Sequence, residues 1–233
     1  MMMDPYKHNV ALVRSVAEAL GPLRENLVFV GGCAVGLLVT NALAQPIRMT
    51  VDVDLIAEVS TLVGFHRLEK QFVARGFSHD QSANAPICRW RKGDLIVDLM
   101  PSSEILGFHN RWYALAIQSA VRTELPDKSH IRLINAPVFI GTKIEAFKAR
   151  GQGDFLASHD LEDIITIVDG RHSLAEEIAD APTELREYLA ETISEWLANQ
   201  DFLQALPGHL PADAGSQRRL GRLLEVLRAI QKC

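Results

Sequence analysis

The sequence predicts an α/β fold of the α+β kind: a mixed sheet flanked by helices, followed by a helical C-terminal tail. Three observations carry that expectation. Short apolar runs bounded by glycine or proline alternate with longer segments of helical periodicity through most of the chain. Two of those runs, TVDVDLI (50–56) and LIVDLM (95–100), read as buried strands although each contains aspartate. After about residue 172 only helical stripes remain. The expected domains are therefore 1–172, a mixed domain, and 173–233, a helical region.

The elements follow in order. Residues 6–20 place Val10, Val13, Ala17 and Leu20 at helical spacing, and Gly21-Pro22 stops them. LVFV (27–30) is a short apolar strand ending at Gly31-Gly32, and CAVGLLVTNAL (33–43) reads as a buried helix opening directly after the glycines. Residues 50–59 form a second strand. LVGFHRLEKQFVARG (62–76) is an amphipathic helix closed by Gly76. ICRWR (87–91), a turn at Lys92-Gly93-Asp94, and LIVDLM make a β-hairpin. IRLINAPVFI (131–140) offers one or two strands interrupted by Pro137, and helices follow near 142–150 and 159–168. In the tail, Leu185, Tyr188, Leu189, Ile193 and Trp196 form one apolar stripe. Leu220, Leu223, Leu224, Leu227 and Ile230 form another.

Composition narrows the function classes. The chain has 233 residues, 48% apolar and 23% charged, with net charge −5, as in ordinary globular proteins. An acidic total argues against a general nucleic-acid coat and leaves room for a local basic groove. No apolar run reaches the length of a membrane span. The start, MMMDPYKHN, lacks a secretory pattern. Three scattered cysteines, Cys33, Cys88 and Cys233, argue for a reducing compartment, so a cytoplasmic location is expected.

The unusual feature is the pair Asp52 and Asp54. Residues two apart on a strand face the same way, so the two carboxylates sit side by side, where like charges repel. A hard divalent cation, Mg²⁺ or Mn²⁺, turns that repulsion into joint attraction, typically sharing carboxylates with substrate phosphates. Asp98, another acid inside an apolar run, supplies a third carboxylate. Glycines at a strand-to-helix turn, Gly31 and Gly32, let the backbone approach phosphate closely. Asp52, Asp54 and Asp98 are thus candidate metal-binding and catalytic residues, and Gly31 and Gly32 candidate nucleotide-binding ones.

Together, "FVGGCAV…TVDVDLI…IVDLM" resembles the nucleotidyltransferase superfamily that includes DNA polymerase beta. That family's pattern is Gly-Gly or Gly-Ser, then Asp-x-Asp, then a third Asp on a later strand. The nearer resemblance is to the AbiEii-type toxins of bacterial toxin–antitoxin systems, in which an Arg-x-Thr precedes the Asp-x-Asp. Here it is Arg48-Met49-Thr50. That branch also has a lysine on a helix after the sheet and an Asp-rich helix start, matched by Lys143 and Asp160 in TKIEAFKARGQGDFLASHDLEDI (142–164). The resemblance covers roughly residues 27–170. It departs at Cys33, where Ser or Thr often follows the glycines; the gap between Gly32 and Asp52 is longer than in the minimal superfamily pattern and suits the toxin branch better than the compact antibiotic-modifying enzymes. It implies an NTP substrate, Mg²⁺, an RNA acceptor such as tRNA, and an antitoxin partner. By this resemblance Lys143 and Asp160 join the nucleotide-binding residues.

Plainer readings stand beside these. The aspartates could be solvated acids of an edge strand, and Gly31-Gly32 an ordinary turn. Lys143, Phe147 and Arg150 share one helix face by spacing, yet Lys143 could be an ordinary helix lysine. Asp160 and Asp163 could serve the dipole of a helix capped by Ser158. His79, His109 and His159 read as surface or loop residues. Arg48, Arg89, Arg91, Arg111 and Arg150 could form an RNA path. No P-loop, dinucleotide fingerprint, C-x-x-C, H-E-x-x-H or G-x-S-x-G occurs. The expected function is transfer of NMP from an NTP to an acceptor hydroxyl, with a degenerate binding or antitoxin-like protein as one alternative. An enzyme modifying a small molecule or protein is the other.

Overall fold

A computed structural model describes residues 4–41, 47–151 and 153–233. The chain folds into two compact units: Met1–Gly36 with Arg48–Asn135, and Leu37–Ile47 with Ala136–Cys233.

The first unit is built on a seven-stranded mixed sheet of order β3-β4-β5-β2-β1-β7-β6. Its strands are β1 (Leu27–Val30), β2 (Val53–Ala57), β3 (Ser78–His79), β4 (Arg89–Lys92), β5 (Leu95–Pro101), β6 (Val121–Glu124) and β7 (His130–Leu133). At its centre β1 runs antiparallel to β2 and β2 parallel to β5. Such central strands are buried on both faces and so read as continuous apolar runs; Leu27, Val28, Phe29, Val53, Leu55, Ile56, Val97 and Leu99 are all inaccessible to solvent.

Helix α1 (Pro5–Leu20) starts at Asp4, whose carboxylate accepts from the Tyr6 amide, and buries Val10, Val13 and Ala17. Helix α3 (Leu62–Ala74), capped by Thr61, buries Phe65, Leu68 and Phe72, a one-sided spacing that suits a sheet-covering helix. Phe72 packs against Phe77 and Trp90 with ring centroids 5.2 and 5.3 Å apart. Arg89 and Trp90 are neighbours on β4 and so point to opposite faces of the sheet. The Arg89 row therefore lies on the face away from α3. A short helix, α4 (Tyr113–Gln118), precedes β6.

The helix expected over 33–43 takes a different form. Gly32–Ala34 is a single 3₁₀ turn, and α2 covers only Val35–Leu38. Thr40 and Asn41 both donate backbone N–H to the Gly170 carbonyl, each at 2.9 Å, which anchors that segment in the second unit. Residues 42 and 43 lie outside the described residues. The second strand is also shorter than the expected 50–59: before it the Thr50 amide donates to the Asn9 side chain, and after it the Val59 amide turns back to the Ala57 carbonyl.

The second unit is helical: α5 (Ala136–Arg150), α6 (His159–Gly170), α7 (Leu174–Ala179), α8 (Thr183–Ala198), α9 (Gln200–Ala205), α10 (Ala214–Gln217) and α11 (Leu220–Ile230). The apolar run 136–140, expected to continue a strand, opens α5. Proline suits a first helical turn, where its missing N–H has no intrahelical partner to lose. The division expected near residue 172 falls inside this unit. Helices α5 and α6 pack on α7, α8 and α11, so the tail shares their core. Phe147, Phe155, Trp196 and Phe202 form an aromatic cluster there. No helix among the described residues is long and apolar enough to cross a membrane.

Candidate active site

Register brings the expected acids together. Across the sheet, Val30 of β1 pairs with Asp54 of β2, Asp54 with Asp98 of β5, and Asp98 with Arg89 of β4. Residues directly paired on neighbouring strands share a face, so these four side chains form one row. Asp52, just before β2, joins it through Arg89. The Arg89 guanidinium donates Nε to Asp98 Oδ1 at 2.8 Å and Nη2 to Asp98 Oδ2 at 2.7 Å. The same Nη2 reaches Asp52 Oδ2 at 2.8 Å. This is a two-pronged arginine–carboxylate contact, the stronger form of such pairs, with a second acid sharing one prong.

The row is partly withdrawn from water. Side-chain exposure is 29% for Asp52, 22% for Arg89 and 11% for Asp98. The hydrogen bond to Asp98 raises the Arg89 pKa further above its already high value. Burial, and then the nearby Asp98 carboxylate, pushes the Cys88 thiol up to about 12, so Cys88 is neutral at physiological pH. Cys33 donates its thiol to the Val30 carbonyl and is buried.

Gly31 fits the row through what it lacks. Its backbone has φ 72° and ψ −167°, a region that only glycine occupies readily. A Cβ built there would collide with Asp54 Oδ2. The Asp54 carboxylate therefore lies directly against the Gly31 backbone. Gly32 is buried and opens the 3₁₀ turn. With only Val35–Leu38 in α2, helix-dipole attraction for phosphate has no long helix behind it.

The segment leading to Asp52 is held from α1. Asn9 is fully buried; its Nδ2 donates to the Arg48 carbonyl at 2.9 Å and its Oδ1 accepts from the Thr50 amide at 3.0 Å. His8 Nε2 bonds the Thr50 carbonyl at 2.9 Å. Arg48-Met49-Thr50 is thus clamped at both ends.

A divalent cation suits the donor chemistry, since Asp52 and Asp98 each aim one oxygen at a single positive nitrogen. Among the described residues, however, no three His, Cys, Asp or Glu side chains already close on one point. The arrangement fits a cation held by two carboxylates with substrate oxygens completing its shell; it is not a finished three-acid cage.

Lys143 and Asp160 come together in the second unit. Lys143 Nζ is 3.0 Å from Asp160 Oδ1 and 2.7 Å from Asp163 Oδ2, and all three residues are buried. Arg150 adds two bonds to Asp160, both at 2.8 Å. Ser158 caps α6 through the Leu161 amide, as its position suggests. Of the arginines expected to face RNA, Arg89 and Arg150 are engaged with these acids, and Arg91 bonds Asp80 at 2.7 Å. Arg111 is exposed and stacks over Trp112.

Among solved structures, the chain is similar to the antibiotic-resistance factor ANT(2'')-Ia, with 16% identity and a TM-score of 0.47. That match covers 84% of this chain and 100% of the other. JHP933 from Helicobacter pylori matches with 12% identity and a TM-score of 0.49, over 100% of this chain and 94% of that one. A candidate nucleotidyltransferase from H. pylori matches with 12% identity and a TM-score of 0.47, over 99% and 96%. No family model matches the chain, and no curated protein matches its sequence.

Sequence reasoning named Arg89 only for an RNA path and missed its place beside the acids, and it did not name Asn9 as a site residue. Arg89 was detectable: a two-residue turn at Gly93-Asp94 fixes hairpin register, pairing Lys92 with Leu95 and hence Arg89 with Asp98. Asn9 carried only a faint signal, a polar residue beside the buried stripe of α1.

Proposed function

We propose that this protein is an Mg²⁺-dependent nucleotidyltransferase that moves NMP from an NTP to an acceptor hydroxyl. The observation that supports this reading most is the acidic row: Asp54 and Asp98 in register, Asp52 joined through Arg89, and the Asp54 carboxylate packed against the Gly31 backbone. In this reading Asp52 and Asp54 hold Mg²⁺ with the triphosphate, and Gly31 and Gly32 let phosphate oxygens approach the backbone. Bound Mg²⁺ supplies electrophilic charge to the reacting phosphate. Asp98 would share metal binding with Asp52 and help take the proton of the acceptor hydroxyl. That oxygen bonds to the α-phosphorus, the α–β anhydride bond breaks, and pyrophosphate leaves. Catalysis comes mainly from positioning and charge. Lys143 and Asp160, which pair between α5 and α6, stay nucleotide-binding residues in this reading on the strength of the sequence resemblance.

The finer identity rests on the sequence resemblance. Arg48-Met49-Thr50 before the acid pair supports the AbiEii-type branch, an RNA acceptor such as tRNA, and a toxin restrained by an antitoxin. The degenerate-binding alternative is disfavoured by the shared face of Asp54 and Asp98, which keeps the third carboxylate beside the pair.

The test is labelling. The purified protein and its Asp52→Ala/Asp54→Ala variant are incubated with each α-labelled NTP, Mg²⁺ and a cell extract, and the products are fractionated. Label in RNA with wild type alone is expected. Label on protein or a small molecule would replace the acceptor, and label that persists in the variant would end the mechanism.

A further inference from the structure

Arg89 Nη2 stands at hydrogen-bond distance from one oxygen of Asp52 and one of Asp98, at 2.8 and 2.7 Å. A divalent cation bound by the same two oxygens would need the same place, with each distance contracting by well under an ångström to ~2.1 Å. Two cations cannot share that point. We propose that Arg89 is a built-in counter-ion that a divalent metal must displace, so that Arg89 sets the metal affinity of the site. This inference rests on the metal-dependent reading above and deepens it.

Three features support the exchange. The guanidinium keeps its charge at every pH a protein experiences, so only movement can vacate the position. Arg89 sits on β4, while the acids it bridges come from the segment before β2 and from β5. Its withdrawal therefore needs only a side-chain swing and no change in strand pairing. Without metal, the same contact satisfies carboxylates that would otherwise repel one another in a partly buried row.

The experiment measures Mn²⁺ binding to the full chain by electron paramagnetic resonance of free Mn²⁺, without nucleotide. Wild type is compared with Arg89→Gln and with Arg89→Gln/Asp98→Asn. Arg89→Gln should bind Mn²⁺ at least tenfold more tightly than wild type, and the added Asp98→Asn should abolish that gain. Equal or weaker binding by Arg89→Gln overturns the exchange. In parallel, the side-chain Nε–H resonance of Arg89 in wild type is followed while Mg²⁺ is added, a readout independent of whether the variant folds. Its solvent exchange should accelerate as the metal binds. If wild type binds Mn²⁺ through Asp52 while the Arg89 resonance is unmoved, the exchange fails and the metal site stands. If neither protein binds Mn²⁺ at millimolar concentration, with or without NTP, both fail.

Discussion

Gly31 carries two demands at once: a backbone conformation closed to other residues and a carboxylate pressed where a side chain would begin. Gly31→Ala must both strain the chain and move Asp54. It should cost about 1–3 kcal/mol in stability and remove transfer activity, read by thermal melts beside the labelling assay. A variant with wild-type melting would contradict the geometry. Cys88 gives a second residue-level prediction. Burial and Asp98 raise its thiol to about 12, and the thiolate is the reactive form. Iodoacetamide at pH 8 should modify the half-exposed Cys233 first and leave Cys88 untouched until unfolding. Modification of Cys88 at the rate of a free thiol would refute this. At this scale the sequence was informative wherever an acid interrupted an apolar run, because burial makes such residues conspicuous. Arg89 was less visible, since an arginine in a hairpin reads as a solvated face until its register is worked out.

At the scale of elements, α5 and α6 are joined by Lys143, Asp160, Asp163 and Arg150. Burial raises the Asp160 pKa, but the hydrogen bonds from Arg150 and the charge of Lys143 outweigh it, and the net shift is downward. A carboxyl depressed in the folded state contributes stability that is present above its unfolded pKa, ~3.9. That stability is lost as pH falls through the folded value. Melting of the second unit should therefore drop below about pH 4, and Asp160→Asn should flatten that limb while lowering stability at pH 7. Lys143→Met leaves two buried acids without their shared ammonium and should cost several kcal/mol. The Arg150 side chain is 71% exposed, so Arg150→Ala should cost ~1 kcal/mol or less. Equal losses for the two would contradict the buried character of the Lys143 pairs. Most elements were legible because apolar periodicity and glycine stops mark them. The segment after Gly32 was not, because an apolar run cannot itself distinguish a long helix from a short turn whose backbone bonds to Gly170. Residues 136–140 misread for a related reason: Pro137 breaks a strand but opens a helix.

At the scale of the molecule, the sheet unit holds the acidic row and the helical unit closes on its own core. Composition marked the tail as helical and could not show that α5 and α6 belong with it, since that depends on long-range packing. A fragment ending at residue 172 removes the α7, α8 and α11 surfaces on which α5 and α6 pack. In that fragment the amides of α5 and α6 should exchange with solvent rapidly; protection matching the full chain would show that the tail is dispensable to them. The central claim concerns which phosphate travels. The most direct measurement compares α-labelled and γ-labelled NTP with wild type and Asp54→Asn, in Mg²⁺ and the extract fraction that accepts label. The α-label should appear on product and the γ-label in pyrophosphate, with both lost in Asp54→Asn. Transfer of γ-label to the product, or α-label that survives the substitution, would contradict a nucleotidyltransferase built on this row of aspartates.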